Sequence, residues 1–309
     1  MMEPERTPSQ RALALVRGAY DLHVHSAPDV LPRKAHDVEV ARRFAQRGLA
    51  GFAIKSHYSP TAGRAWLTRL VVPEVDVLGS LCLNASVGGL NPLAVEIAAR
   101  EGARMVWLPT VDAENESPAR RPPDTGGKRP VWAVLQEELR EAGLRCEPVR
   151  VVDAHGRPLP ELLEVLRVVA RHRLVLATGH LSRDEIFTAV EAAKLIGVPC
   201  VVITHPDFPT QRLSVEDQRR LAREGAWLER CFGTAYSGKI PWDELVEVIR
   251  AVGVQHSFLS SDLGQPHAPP VEDGLALMAD RLLALGFPEE GLRAMVTNTV
   301  RVAQAEVER

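Results

Sequence analysis

The sequence predicts an α/β fold, a TIM-like (β/α)8 barrel, allowing for distortion, with one long insertion after its fourth strand. Three observations predict it. Eight short, mostly apolar runs recur along the chain, helical patterns lie between most of them, and glycine stands where a helical pattern should stop. The runs are 19–24, 51–54, 75–83, 105–108, 174–177, 198–203, 226–228 and 256–259. Short apolar runs bounded by turn signals suit parallel strands buried on both faces.

The helical patterns follow in order. Segment 37–47 places Val38, Ala41, Phe44 and Ala45 at helical spacing, and 159–171, 183–196, 215–223, 242–251 and 272–285 behave alike. Ser182 and Glu185 fit a capping box, in which each side chain satisfies a backbone donor of the other residue. Ser214 is placed to cap the next helix. Gly48, Gly102, Gly197, Gly225, Gly253 and Gly286 fall at expected helix ends, where a left-handed residue terminates the helix. A strand–helix unit repeated eight times needs about 250 residues. The 309-residue chain therefore reads as one barrel domain over 1–309, with an N-terminal extension over 1–17 and an insertion over 112–150. Within the insertion, 117–127 is rich in proline and glycine, which excludes helix and central strand. A connection of that length, placed by the barrel above the active-site face, is either disordered or a functional lid. The chain then returns through a small hairpin near 149–158.

Composition narrows the function. With 45% hydrophobic and 25% charged residues the chain reads as globular rather than disordered. No run of 18 apolar residues exists, so no membrane span is expected, and residues 1–10 lack the layout of a signal peptide. The expectation is a cytoplasmic protein. A net charge of -3 gives no electrostatic case for nucleic acid, which leaves a small-molecule substrate as the expected partner. Homo-oligomerisation through helix faces stays open. Cys82, Cys146, Cys200 and Cys231 form no CxxC pair and read as buried free thiols.

The histidines carry the chemistry. Five of the ten fall at or just past the C-terminal end of an expected strand: His23, His25, His57, His180 and His205. Strand eight ends in Ser260-Ser-Asp262. In a parallel barrel those ends meet on one rim, where active sites sit. Residues two apart on a strand share a face, so His23 and His25 both point inward and can share one metal. Imidazole and carboxylate together suit zinc, manganese or iron. The expected ligands are His23, His25, His57, His180, His205 and Asp262, around one or two divalent ions, zinc foremost.

Asp21-Leu-His-Val-His25, Thr178-Gly-His180, Thr204-His205 and Ser261-Asp262 resemble the amidohydrolase superfamily of metal-dependent hydrolases, and Asn298-Thr-Val-Arg-Val-Ala303 is similar to a segment that closes such barrels. The resemblance implies a metal-activated water that cleaves an amide, lactam, lactone or ester. It makes Asp262 the proton acceptor and, if only one metal binds, His205 a polarising or proton-transferring group. A partial resemblance to the polymerase-and-histidinol-phosphatase family rests on Asp21–Ser26, on Gly51-Phe-Ala-Ile-Lys-Ser-His57 and on Asp262 with the later His267. It implies a phosphoesterase. A mononuclear decarboxylase of the first superfamily is a third possibility.

Where many binuclear members carry a bridging lysine or glutamate at strand four, this chain has Leu108-Pro-Thr-Val-Asp112. Lys55, one of only five lysines, ends strand two. It is a catalytic candidate with three roles open: a carboxylated bridge, a cation for a substrate anion, or an ion pair within the rim. Glu229 could reach the site or form a structural salt bridge. Asp29 and Arg64 follow strands one and two and are placed to touch substrate. His36, His155 and His172 read as surface residues, and His256 begins strand eight at the wrong end.

Overall fold

A computed structural model describes residues 7–117, 131–144, 147–211 and 213–305. Its eight strands are β1 (Tyr20–Val24), β2 (Gly51–Ile54), β3 (Asp76–Cys82), β4 (Ala103–Trp107), β5 (Val175–Ala177), β6 (Cys200–Ile203), β7 (Trp227–Cys231) and β8 (Ser257–Ser260). They pair in sequence order, each parallel to the next. Backbone bonds across β8 and β1 close the barrel at its rim: the N–H of Asp262 donates to the carbonyl of His23 (2.9 Å) and that of His25 to Leu263 (2.8 Å). This is the expected barrel.

Alternation along the strands builds two apolar layers. Leu22, Ala53, Leu78, Met105, Trp107, Val175, Ala177, Val202 and Phe258 fill the interior. Val24, Phe52, Ile54, Val77 and Leu259 face helices on one side of the barrel, and Leu81, Val106, Leu176, Ile203 and Leu228 face those on the other. The layers are dry, and their burial supplies the main driving force for folding. In β1 the period breaks. Leu22 belongs to the interior and Val24 to the outer layer, and the β1–β2 register shifts between Asp21 and Val24. Such a shift re-aims side chains, as bulges beside active sites do.

Helices Asp37–Arg47, Arg183–Ile196 and Val215–Arg223 fall on their expected spans. The capping box forms, with the Ser182 N–H donating to Glu185 Oε2 (2.8 Å), and the Ser214 hydroxyl accepts from the Asp217 N–H (3.1 Å). Gly48 and Gly197 end their helices at φ 70° and 88°, the region glycine reaches without a Cβ clash. Helices Ala62–Val71, Pro92–Arg100 and Glu289–Ala303 complete the wall. The last of these plugs the bottom. Val302 and Ala303 join the interior cluster, and Thr299 Oγ1 accepts from the Tyr20 N–H (3.0 Å).

The extension carries a short helix, Gln10–Leu15, whose cap Ser9 bonds Asp280. Residues 1–6 lie outside the described residues. In the insertion, a 3-10 turn (Glu114–Glu116) and a helix (Val131–Glu141) are described, whereas 118–130, most of the proline- and glycine-rich tract, lie outside. Gln136 fastens the helix to the rim, donating to the Val111 carbonyl (2.8 Å) and to Asp112 Oδ1 (2.5 Å). The expected hairpin is reduced to one antiparallel bridge, Val152 to Pro158. Among the described residues no helix is long and apolar enough to cross a membrane.

Candidate metal centre

Strand ends β1, β2, β5 and β6 bring His23, His25, His57, His180 and His205 into one closed ring. Successive imidazole centroids are 5.4 Å (His23–His25), 5.1 Å (His25–His57), 6.0 Å (His57–His180), 5.6 Å (His180–His205) and 5.0 Å (His205–His23) apart. Asp262 enters from the end of β8. Its Oδ1 lies 3.1 Å from His23 Nε2 and 3.2 Å from His25 Nε2, and its Oδ2 lies 3.8 Å from His205 Nε2. His205 and Asp262 both adopt left-handed backbone, φ 50° and 54°. Non-glycine residues hold that conformation only where their surroundings fix it, and such strain gathers at functional sites.

The donor set fits a metal ion. Atoms that share one cation at about 2.0–2.2 Å stand about 3 Å from one another, and His23 Nε2 and His25 Nε2 stand at that spacing from Asp262 Oδ1. Ligand atoms of His23, His25 and Asp262 lie within 4.8 Å of one another. A second group, His23, His205, Glu229 and Cys231, meets the same limit deeper in the barrel. The Nδ1 atoms of His25 and His205 are buried with no hydrogen-bond partner among the described residues.

His57 and His180 stand in the ring but in neither group. The Asn84 amide donates to the Thr110 hydroxyl (2.6 Å), and that hydroxyl also pairs with His57 Nδ1 (2.8 Å). His180 Nδ1 lies 3.4 Å from Glu116 Oε1, on the turn that opens the insertion. Lys55 is 1% exposed, its Nζ is 2.9 Å from His23 Nε2, and it lies 5.5 Å over the Trp107 ring. Among the described residues no carboxylate comes within ion-pair distance of it, so the rim ion pair is absent.

Electrostatics follow burial and charge. Burial and the Lys55 cation both disfavour charge on His23, but the Asp262 and Glu229 carboxylates outweigh them and push its pKa up to about 9. Burial dominates elsewhere: it brings His205 down to about 3 and holds His25 and His57 well below the ordinary imidazole range. It also raises Asp21 to about 7. Burial disfavours the charged Glu229, yet His23 beside it brings its pKa down to about 2.

Glu229 is the functional residue that strand-end reasoning underweights. Its Oε1 accepts from His23 Nδ1 (2.9 Å) and from the Ser260 hydroxyl (3.0 Å). The missed signal is alternation: β7 runs to Cys231, past the expected end at 228, so Glu229 and Cys231 share the inward parity of Trp227. Arg230 points outward instead, pairing with Asp207 Oδ1 (2.7 Å) while fully buried. Arg64 is bound to Asp37 (2.7 Å) and Asp29 to Arg33 (2.8 Å). His267 is exposed, outside the ring. Cys146 lies outside the described residues.

Residues 18–229 match DUF6282, described as a family of unknown function. No curated protein matches the chain. Among solved structures, an amidohydrolase from Pseudomonas aeruginosa is similar at 13% identity over 96% of this chain and 99% of its own, with a TM-score of 0.63. The probable dipeptidase PvdM from the same organism is similar at 12% over 97% and 98%, with a TM-score of 0.59. A probable 2-pyrone-4,6-dicarboxylic acid hydrolase from Acinetobacter baumannii, solved with citric acid bound, is similar at 11% over 92% and 98%, with a TM-score of 0.53. At these identities the likeness is one of fold, and it runs nearly end to end.

Proposed function

The chain belongs to DUF6282, a family of unknown function, and we propose that this member is a metal-dependent hydrolase that cleaves an amide, lactam, lactone or ester in a small molecule. The observation that carries the reading is the convergence of His23 Nε2 and His25 Nε2 on one oxygen of Asp262, inside a ring of five imidazoles at the C-terminal rim. Fold likeness to hydrolases supports it by analogy. His23, His25 and Asp262 would hold a single divalent cation, zinc before manganese or iron. Such an ion supplies Lewis acidity and lowers the pKa of water toward neutrality.

The chain's own groups do the rest. Asp262 Oδ2 takes a proton from the attacking water and returns it to the leaving group. His205 Nε2 stands beside Asp262 and His57 completes the rim next to His25, and both polarise the substrate carbonyl. Lys55 binds a carboxylate carried by the substrate. The 112–150 insertion shields the reaction from bulk water. The proposed setting is cytoplasmic, with a small molecule as partner.

Lys55, with no carboxylate partner among the described residues and beside the His23–His25–Asp262 group, also favours a second reading, decarboxylation of a small carboxylic acid. Elemental analysis of purified protein, with His23→Ala/His25→Ala as control, tests the common premise. About one equivalent of metal, lost in the control, is expected; no uptake after reconstitution overturns both readings. Screening the loaded protein against amides, lactones, esters and small carboxylic acids then separates hydrolysis from release of carbon dioxide.

A further inference from the structure

We propose that Glu229 is the positioning residue of this centre: one carboxylate fixes the His23 ring and the His205 backbone without itself holding the cation. The inference rests on the metal reading above. Glu229 is 2% exposed, and three strands bearing candidate ligands converge on it. From β1, His23 Nδ1 lies 2.9 Å from Oε1; from β8, the Ser260 hydroxyl donates to the same oxygen at 3.0 Å; from the end of β6, the His205 N–H reaches Oε2 at 3.4 Å.

A carboxylate only accepts, so the shared proton sits on His23 Nδ1, and a ring that binds a cation gives up its other proton, which leaves the Nε2 lone pair on the side of Asp262 and His25. A carboxylate behind a ligating imidazole fixes its tautomer and raises its basicity, an effect worth about 10–100-fold in metal affinity. The bond to the His205 N–H adds a second constraint, because that residue sits at φ 50° and needs its neighbours to keep it there. One buried side chain thus sets two ligand strands at once.

The competing arrangement is ligation by the deeper group, His23, His205, Glu229 and Cys231. Geometry disfavours it. Glu229 Oε1 is already shared by His23 and Ser260, and Cys231 Sγ is 3.1 Å from the Ser260 hydroxyl. His23 could serve both groups only by losing both ring protons.

Cobalt(II) is the probe. Metal-free full-length wild type, Glu229→Gln, Glu229→Asp, Ser260→Ala and Cys231→Ser are titrated by ligand-field absorption and by competition with a chromophoric chelator. Wild type is expected to take up about one equivalent. Glu229→Gln should weaken binding at least about tenfold with no fall in the melting temperature of the metal-free protein, Glu229→Asp should recover part of that, and Ser260→Ala should show a smaller loss. Cys231→Ser should leave affinity and spectrum unchanged. Equal affinity in Glu229→Gln overturns the inference alone. So does a thiolate-to-cobalt charge-transfer band that disappears in Cys231→Ser, since Glu229 would then belong to a ligating group. No uptake by wild type removes the metal centre and the inference together. If Glu229→Gln does not fold, Glu229→Asp and Ser260→Ala decide on the same readout.

Discussion

The backbone N–H of Asp262 donates to the carbonyl of His23 at 2.9 Å, so the seam that closes the barrel is also the contact that brings the first and last candidate ligands together. Asp21 latches the same seam. Its Oδ1 accepts from the N–H groups of Ser261 (2.9 Å) and His23 (3.3 Å). Asp21→Ala leaves buried donors unsatisfied and should cost about 1–3 kcal/mol of stability, with metal occupancy falling alongside. Asp21→Asn keeps the acceptor and should retain both. Urea unfolding and elemental analysis of the two variants check this.

Lys55 Nζ sits 2.9 Å from His23 Nε2 with no carboxylate to pair with among the described residues. Lys55→Met should therefore keep its metal and lose about 10–100-fold in kcat/KM on carboxylate-bearing substrates, the scale of one hydrogen bond to a charged group. Neutral esters should suffer less. Loss of metal in Lys55→Met would move this residue into the ligand set as a carboxylated bridge.

Arg230 anchors the loop that carries His205. Fully buried, it binds both oxygens of Asp207 (2.7 and 2.9 Å) and Gln218 Oε1 (2.7 Å). Arg230→Met strands the Asp207 charge and should cost about 3–5 kcal/mol, read as a shift of the urea midpoint. Adding Asp207→Asn should recover part of that loss, because the uncompensated charge is then gone.

Asp217 gives acid stability a defined sign. Hydrogen bonds from Arg183 (2.9 and 2.5 Å) and Ser214 (3.0 and 2.9 Å) bring its pKa down to about 2 despite burial. An unfolded aspartate titrates near about 3.9. The stabilisation is therefore full above about pH 4 and is lost as pH falls through the folded value. The stability gap between wild type and Asp217→Asn should be widest at about pH 5 and shrink toward about pH 2. A gap independent of pH would disprove the assignment.

Helices such as Asp37–Arg47 and Arg183–Ile196 were legible because caps, apolar spacing and a terminal glycine are local, and the backbone satisfies them within one element. Helices Ala62–Val71 and Pro92–Arg100 were not. Their outward faces carry Trp66, Leu67, Leu93 and Ile97, which blur the apolar period. The five rim histidines were legible because a strand end is a local feature and parallel strands align their ends. Glu229 was legible only as a residue that could reach the site: alternation along β7 turns it inward, but its partner His23 lies 206 residues away.

The sequence by itself determined the barrel, the rim and the identity of the groups on it, because hydrophobic period and strand polarity fix which residues share a face. Tertiary structure decided which of those groups converge. The register shift in β1 and the left-handed turns at His205 and Asp262 set where each side chain points, and His57 and His180 fall outside the atoms that cluster with Asp262. Convergence depends on distances between strands far apart in the chain, and those exist only once the core layers have packed.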